Sequence, residues 1–427
     1  MKLKSLHIDS YKHLQNLKFD FTYPEGHAKF GQPLEKICII GQSATGKTSV
    51  LELIKDSISK IDSVEIINGK FFMKHFELPF DGRLEFFYED QILKISKDII
   101  NLNGLEFKNI SGASGTITRL FNTRLRLLYL SSEVISKEAI NIFNQNPINI
   151  ISDLSIEKYS GFNKRDIDSN YIIEFLQNIN ADIWFSLLYK ILDYRKRFTQ
   201  MASELINKGA IADTKKLSKQ YEKWAEANKN PLVPFAEKFN PVLKKLNLEV
   251  DLINTEYTIP IKSHSRDEVI PIAGLSTGTK GLLLSFFPLF ELDTTNAIIL
   301  FDEPERSLFP DLQIDLMFHY QSLAPDAQIV VATHSPFIAA AFDPEERFIL
   351  YFDEMGEVQV RRGESPKGDD PNDMLRNDFN VDYYNDFGKQ AYEKYLTLKS
   401  RAKRETEPQK KKELMIELTT LGDKYNF

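Results

Sequence analysis

The hydrophobic and polar positions change period several times along the chain, and those changes outline its organisation. Residues 3–8 and 17–21 alternate: Leu3, Ser5 and His7 face one way against Lys4, Leu6 and Ile8, and Leu17, Phe19 and Phe21 oppose Lys18 and Asp20. A period of two marks strands, and the two runs predict a hairpin. Residues 22–36 contain Pro24, Gly26, Gly31 and Pro33 and read as a loop. Ile37-Cys38-Ile39-Ile40 is a continuous apolar run, the pattern of a buried strand, and a helix begins at Ser49-Val50-Leu51-Glu52-Leu53-Ile54. From about 70 to 130 strand-like runs return: Lys70-Phe71-Phe72, Arg83 to Tyr88, Ile92 to Ile95, Leu105-Glu106-Phe107 and Leu127-Leu128-Tyr129-Leu130. Asp81-Gly82 and Asn103-Gly104 supply turns between some of them, so an antiparallel sheet is expected beside the core.

From about 168 to 246 the period becomes helical. Trp184, Leu187, Leu188, Ile191, Tyr194, Phe198, Met201, Ala202 and Leu205 recur at i, i+3, i+4, i+7. Gly209-Ala210 breaks that helix, a more charged helix is expected over 214–229, and a third over 235–246 follows Pro231 and Pro234. This predicts a helical insertion with one short hairpin, too short for a long coiled-coil arm. Strand character returns at 248–253 and 257–261. Strands at 297–301, 328–332 and 348–352 then alternate with helices from about 311 and 336. Such alternation predicts a mainly parallel sheet covered by helices, hence an α/β protein. The expected parts are a first lobe over 1–130, the helical insertion over 131–264, and a second lobe over 265–427 that ends in a polar helical tail from about 387.

The 427 residues suffice for two or three domains, and 42% hydrophobic with 27% charged residues is ordinary for a folded protein. A formal net charge of −7 argues against a surface built for non-specific polyanion binding and leaves room only for a local basic patch. One cysteine, Cys38, excludes an intrachain disulfide and a cysteine-based zinc site. The N-terminus alternates polar and apolar residues, unlike a signal peptide, and the most apolar run, 282–290, is too short to span a membrane. A cytoplasmic location and no membrane partner are expected.

Two stretches carry chemistry. Gly41-Gln42-Ser43-Ala44-Thr45-Gly46-Lys47-Thr48-Ser49 fits G-x-x-x-x-G-K-[ST] without a mismatch, between an expected strand and an expected helix. That context turns the motif into a phosphate cradle: the backbone N–H groups point inward and the helix N-terminus adds partial positive charge. Lys47 can reach the β- and γ-phosphates of ATP, and the Thr48 hydroxyl can ligate Mg²⁺. The plain alternative, a chance glycine turn ahead of a helix, is disfavoured by the flanking strand. The second stretch, Ala297-Ile298-Ile299-Leu300-Phe301-Asp302-Glu303, is a buried strand ending in two carboxylates. Asp302 can hold Mg²⁺ and Glu303 can deprotonate an attacking water. Solvated acids at a strand end are the alternative, which the upstream phosphate motif weakens.

Leu275-Ser276-Thr277-Gly278-Thr279-Lys280-Gly281 resembles the signature motif of ABC-type ATPases. Glu303-Pro304-Glu305-Arg306-Ser307-Leu308-Phe309-Pro310 resembles the E-P-E-x-x-L-H-P stretch of their SMC, RecF and OLD-like branch, with Phe309 in place of the usual His. Thr333-His334-Ser335-Pro336 resembles the T-H-S-P after the next strand. The resemblance covers roughly 1–130 and 265–380. It implies an ABC-type ATPase head, His334 as a γ-phosphate-sensing residue, and a head-to-head homodimer sandwiching two ATP molecules. Ser276, Gly278 and Lys280 would then act on the ATP of the second copy. Ser276 also suits a helix N-cap. The branch's Mg²⁺-sensing Gln is missing: Leu130 is followed by Ser131-Ser132-Glu133, where Ser131 or Glu133 could stand in, and Gln145 lies beyond a helix-like run. A zinc-hook arm cannot form with one cysteine, and no D-x-D of a TOPRIM nuclease occurs after residue 340; Asp353-Glu354, Asp369-Asp370 and Asp382 are expected to be loop acids.

Gly368-Asp369-Asp370-Pro371-Asn372-Asp373-Met374-Leu375-Arg376 and the helix beyond resemble the tail of short-arm ATPases of anti-phage systems such as Septu and PARIS. That resemblance implies a separate nuclease as effector partner. The basic run Lys399, Arg401, Lys403, Arg404 and Lys410-Lys411-Lys412 could touch nucleic acid, but Glu405, Glu407 and Glu413 make a solvated face the expected reading. The rival functions are a RecF-like ATPase acting on DNA and a slow ATPase serving mainly as a scaffold.

Overall fold

A computed structural model of the chain describes residues 1–62, 65–67, 72–73, 76–88, 91–109, 117–119, 127–153, 172–209, 212–266, 268–381 and 385–425. The expected runs at 70–71 and 168–171, the helix break at Ala210 and the acid Asp382 lie outside the described residues.

The N-terminal hairpin pairs β1 (Lys2–Tyr11) with β2 (Leu14–Asp20), in register from Ser5 opposite Asp20 to Tyr11 opposite Leu14. Next come β3 (Lys36–Gly41) and helix α1 (Lys47–Asp62). The short strands β4 (Glu65–Ile67), β5 (Phe72–Met73), β6 (Asp81–Tyr88), β7 (Gln91–Ser96), β8 (Ile99–Leu102), β9 (Leu105–Asn109) and β10 (Ile117–Arg119) come after them. Among the described residues these strands and the hairpin build a nine-stranded sheet in the order β10-β4-β5-β9-β8-β7-β6-β1-β2. Its pairs are antiparallel except β5 with β9, in line with the sequence.

One expected member of that sheet lies elsewhere. Leu127-Leu128-Tyr129-Leu130 is β11 (Leu127–Leu130), and it joins the parallel sheet. All four residues are buried, as a strand covered on both faces demands, whereas β2, β6 and β7 of the nine-stranded sheet mix buried and exposed positions. After α2 (Lys137–Asn144) and α3 (Pro147–Asp153), the region read as helical begins with a strand, β12 (Ile172–Phe175), paired parallel to β11.

Three helices, α4 (Ala181–Asn207), α5 (Thr214–Ala227) and α6 (Leu232–Lys244), lie within the stretch expected as a helical insertion. Asn180 and Asp213 cap the first two through their side chains. The apolar stripe of α4 divides in two. Trp184, Leu187, Leu188, Ile191 and Tyr194 are buried, whereas Phe198, Met201, Ala202 and Leu205 are only partly covered, along α5. Trp224 of α5 packs on Tyr194 and Phe198, closing the expected hairpin. A small sheet of β13 (Leu248–Val250), β14 (Ile261–Ser263) and β15 (Val269–Ile270) comes next. The strand expected over 257–261 therefore starts only at Ile261.

The remaining alternation runs through α7 (Thr277–Glu291), β16 (Ile298–Asp302), α8 (Pro310–Leu323), β17 (Gln328–Thr333), α9 (Pro336–Ala339), β18 (Arg347–Phe352) and β19 (Val358–Arg362). The helix expected from 336 is a single turn. Strands order as β12-β11-β16-β17-β3-β18-β19, all parallel but for the edge strand β19. This mixed α/β architecture agrees with the fold class expected from the alternating pattern.

Helix α1 shows how the layers lock. Val50, Leu51, Leu53, Ile54, Ile58 and Ile61 are fully buried in the core that also holds Leu6, Ile37 and Leu84. Full burial of such side chains contributes about 1.5–3 kcal/mol each. A buried amide ties the sheets together: Gln328 Oε1 accepts from Leu3 N (2.6 Å), and its Nε2 donates to Leu3 O (3.0 Å) and Leu34 O (2.7 Å).

Residues Met1–Asp369 form one compact unit and Asp370–Phe427 a second. The second contains α10 (Pro371–Asn377), α11 (Asp386–Arg404) and α12 (Pro408–Tyr425), with Lys394 paired to Glu417 at 3.2 Å. The three lysines 410–412 are exposed on α12. Among the described residues no helix is long and apolar enough to cross a membrane.

Helix α4 is anchored in the first unit by Trp184, fully buried, with Phe143 at 5.3 Å and Phe175 at 5.4 Å between ring centroids. Trp184→Ala should lower the unfolding free energy of the first unit by about 3–5 kcal/mol, measured by urea titration. An unchanged midpoint would show that this anchor is not where α4 is held.

Candidate functional site

The P-loop sequence folds as expected: β3 ends at Gly41 and α1 begins at Lys47. Gly46 has φ +91, a conformation that strains any residue with a Cβ, and the side-chain ends of Leu14 and His13 from the hairpin turn pack beside it, at 2.8 and 2.9 Å from where a Cβ would sit. Gln42, Ser43, Ala44 and Thr48 are exposed, Ser49 is half-buried, and Thr45 is buried with its hydroxyl donating to Gln42 O at 2.8 Å.

Lys47 is buried, and its Nζ donates to the carbonyls of Gly41 and Gln42, each at 3.0 Å. Burial lowers its pKa to about 8, against the raising influence of Glu303, Asp302 and Glu305. An anion beside the ammonium would restore its usual basicity, the property a phosphate-binding lysine needs.

The Thr48 hydroxyl lies 3.0 Å from Asp302 Oδ1 and 3.2 Å from Oδ2, across 254 residues of sequence. A hydroxyl and a carboxylate converging at the end of a parallel sheet are hard oxygen donors of the kind Mg²⁺ takes. The two residues therefore fit the metal. Asp302 is 6% exposed, and burial first, then Glu303, pushes its carboxyl up to about 6, while the Thr48 hydrogen bond pulls the other way.

Glu303 has φ +48, a left-handed conformation that costs a non-glycine residue about 1–2 kcal/mol. Its Oε1 lies 3.6 Å from His334 Nε2, and its N–H donates to Ala332 O at 2.9 Å. Burial and Lys47 lower the His334 pKa, so the imidazole is neutral at neutral pH despite the carboxylate. The structure thus brings Lys47, Thr48, Asp302, Glu303 and His334 to one edge of the parallel sheet.

Ser276, Gly278 and Lys280 are not joined to that group by any hydrogen bond or ion pair among the described residues. Ser276 is exposed and caps α7: its Oγ accepts from Thr279 N at 3.2 Å and pairs with Thr279 Oγ1 at 2.8 Å. Gly278 is buried where a Cβ would clash with the Ser307 carbonyl. Lys280 is half-buried.

A cavity of about 320 Å³ is lined by Ser131, Glu133, Gln177, Thr277, Asp302 and Glu303, among others. Both stand-ins considered for the missing glutamine reach it. Gln145 does not line it: it caps the C-terminus of α2. Gln177 was missed because it comes after β12, in the stretch read as helical; the short run Ile172-Ile173-Glu174-Phe175 ending in a turn was the available signal. His13 was missed too, since only the fold brings the hairpin turn to Gly46. Phe309, which replaces the usual His, is 73% exposed. The Asp353 carboxylate accepts from the backbone of Met355 and Glu357, a turn-forming role.

Comparison with known proteins gives the class. The family model described as AAA ATPase domain matches residues 1–339, and the chain belongs to that family. No curated protein matches it. Among solved structures, the chain is similar to an Smc head bound to the C-winged helix domain of ScpA (13% identity, TM-score 0.40, covering 85% of this chain and 97% of that one). It is also similar to the Smc head domain from Pyrococcus furiosus with an extended coiled coil (14%, 0.38, 84% and 96%) and to the SMC head domain from Thermotoga maritima (15%, 0.38, 86% and 100%).

Asp302 predicts a pH-dependent stability. The folded chain binds this proton more tightly than the unfolded one, so the penalty for ionising it grows as pH rises from 3.8 through about 6 and is complete above that. Asp302→Asn should therefore stabilise the nucleotide-free chain at pH 8 by roughly 2–3 kcal/mol, and the gain should vanish near pH 4. Urea unfolding at both pH values checks this; an equal gain at both would remove the ionisation as its cause.

Proposed function

We propose that the chain binds and hydrolyses ATP, and that a dimer closed around ATP controls a partner effector. The observation that carries the reading is the convergence of Thr48 and Asp302 within 3.0–3.2 Å beside the buried Lys47. In this reading the P-loop backbone from Gly41 to Gly46 and the N-terminus of α1 hold the phosphates of ATP, and Lys47 faces the β- and γ-phosphates. Thr48 and Asp302 hold Mg²⁺, which neutralises phosphate charge when bound. Glu303 orients the attacking water and takes its proton, and neutral His334 donates a hydrogen bond on the γ-phosphate side. Ser276 and the backbone near Gly278 serve the ATP of a second copy. The exposure of Ser276, with no bond joining it to the Lys47 group among the described residues, supports a role outside its own subunit.

The partner is proposed as a separate nuclease in anti-phage defence on the resemblance of the tail. The exposed lysines of α12 are compatible with nucleic acid without calling for it.

Glu303→Gln keeps shape and hydrogen bonding but cannot accept the proton. It should still bind ATP, lose roughly 10²–10⁴-fold in hydrolysis, and elute as a larger species on a sizing column when ATP is present. Ser276→Arg should abolish that shift. A Glu303→Gln chain that hydrolyses ATP at the wild-type rate removes Glu303 from the mechanism; one that binds ATP but does not change size contradicts the closed dimer.

A further inference from the structure

The loop after β16 is held in an unusual way. Glu303 and Ser307, neither of them glycine, both take left-handed conformations, with φ +48 and +64. Left-handed conformations at non-glycine positions persist only where surrounding contacts enforce them. The enforcing contacts run to the loop after β17. Glu305 Oε1 accepts from Thr333 Oγ1 at 2.7 Å and from His334 N at 2.9 Å. Its Oε2 is buried and has no hydrogen-bond partner among the described residues. Thr333 Oγ1 in turn accepts from Ser335 N at 2.9 Å. A second tie runs through Gln313 of α8: its Nε2 donates to Leu308 O at 2.8 Å, and its Oε1 accepts from Ser335 Oγ at 2.6 Å.

A buried carboxylate with one oxygen left unpartnered is an expensive way to close a loop. Gln313 already ties the two loops by neutral bonds. What Glu305 adds is a strong acceptor on the backbone N–H of His334 itself, the residue whose ring faces Glu303 at 3.6 Å. The same loop reaches α7: the Ser307 carbonyl fills the space beside Gly278 that a side chain would need. One short segment therefore touches the general-base candidate, the His334 backbone and the signature helix.

We infer that Glu305 is a positioning residue: it fixes His334 against Glu303 by accepting the His334 N–H and the Thr333 hydroxyl, and so couples the position of the signature helix to the hydrolytic pair. This inference rests on the ATPase reading above and deepens it, and it predicts an effect on the chemical step and not on ATP binding.

The test compares the full-length wild-type chain with Glu305→Ala, Glu305→Gln, His334→Ala and the Glu305→Ala/His334→Ala double variant. For each, ATP affinity is measured by titration, hydrolysis by single turnover, and folding by thermal melting. Glu305→Ala should lose about 10- to 100-fold in rate, as expected for a misplaced group, with ATP affinity within about threefold of wild type. Glu305→Gln keeps an acceptor oxygen and should restore most of the lost rate. The double variant should be no slower than His334→Ala alone, because the two residues act through one another. If Glu305→Ala does not fold, Thr333→Val carries the test: its loss of rate should disappear in the His334→Ala background.

Wild-type rates in Glu305→Ala overturn the inference, as do losses that multiply in the double variant, or a fall in ATP affinity as large as the fall in rate. Each of those outcomes leaves the ATPase reading standing. A wild-type chain that hydrolyses no ATP overturns both.

Discussion

The site depends on one constraint, the parallel alignment of β3, β11, β16 and β17. Parallel strands present their carboxyl ends on the same edge, and the loops that leave those ends must meet there. The register makes this concrete: Asp302 is level with Ala332, Thr333 with Ile40, and Leu130 with Phe301. The P-loop, the Asp302-Glu303 pair, the Thr333-His334 loop and Ser131 therefore converge without any of them being close in sequence. A register slip of one residue in β16 would turn Asp302 to the other face and dissolve the contact with Thr48. The apolar runs of these buried strands would look alike after such a slip, so the polar residues at their ends fix the register: Gln328 through its bonds to Leu3 and Leu34, and Asp302 through Thr48.

This arrangement explains why the nucleotide machinery was legible in the sequence and its surroundings were not. The phosphate loop and the strand before it are local: glycine spacing, an apolar run and a helix start sit side by side. The strand ending in Asp302-Glu303 is equally local. The hairpin, the antiparallel sheet and the α4–α5 hairpin were also legible, because their periods of two and 3.6 are properties of single segments. Leu127–Leu130 was assigned to the wrong sheet because a four-residue apolar run carries no information about its partner. Ile172–Phe175 was hidden by the helical pattern beyond it, and Gln177 was hidden with it. His13 and the Gln313 tie are products of tertiary contact and leave no trace in either period.

The site also holds unfavourable features that the rest of the fold must support. Lys47 and Asp302 are both buried, with their pKa values pushed toward the neutral forms, and Glu303 and Ser307 adopt strained backbone. Such features concentrate where a charged ligand is to be received, since its charge reverses the electrostatic penalty that the protein bears alone. The fully buried face of α1 and the Gln328 tie between the two large sheets supply the rigidity that keeps these groups in place.

In the proposed function the loop from Gly41 to Ser49, with Lys47 at its centre, receives ATP. Titration calorimetry of ATP with Mg²⁺ into the purified wild-type chain and into Lys47→Ala tests it most directly. Saturable binding of one ATP per chain is expected in the wild type, and none in the variant at the same concentrations. Equal affinities in the two proteins, or no binding by the wild type, would contradict it.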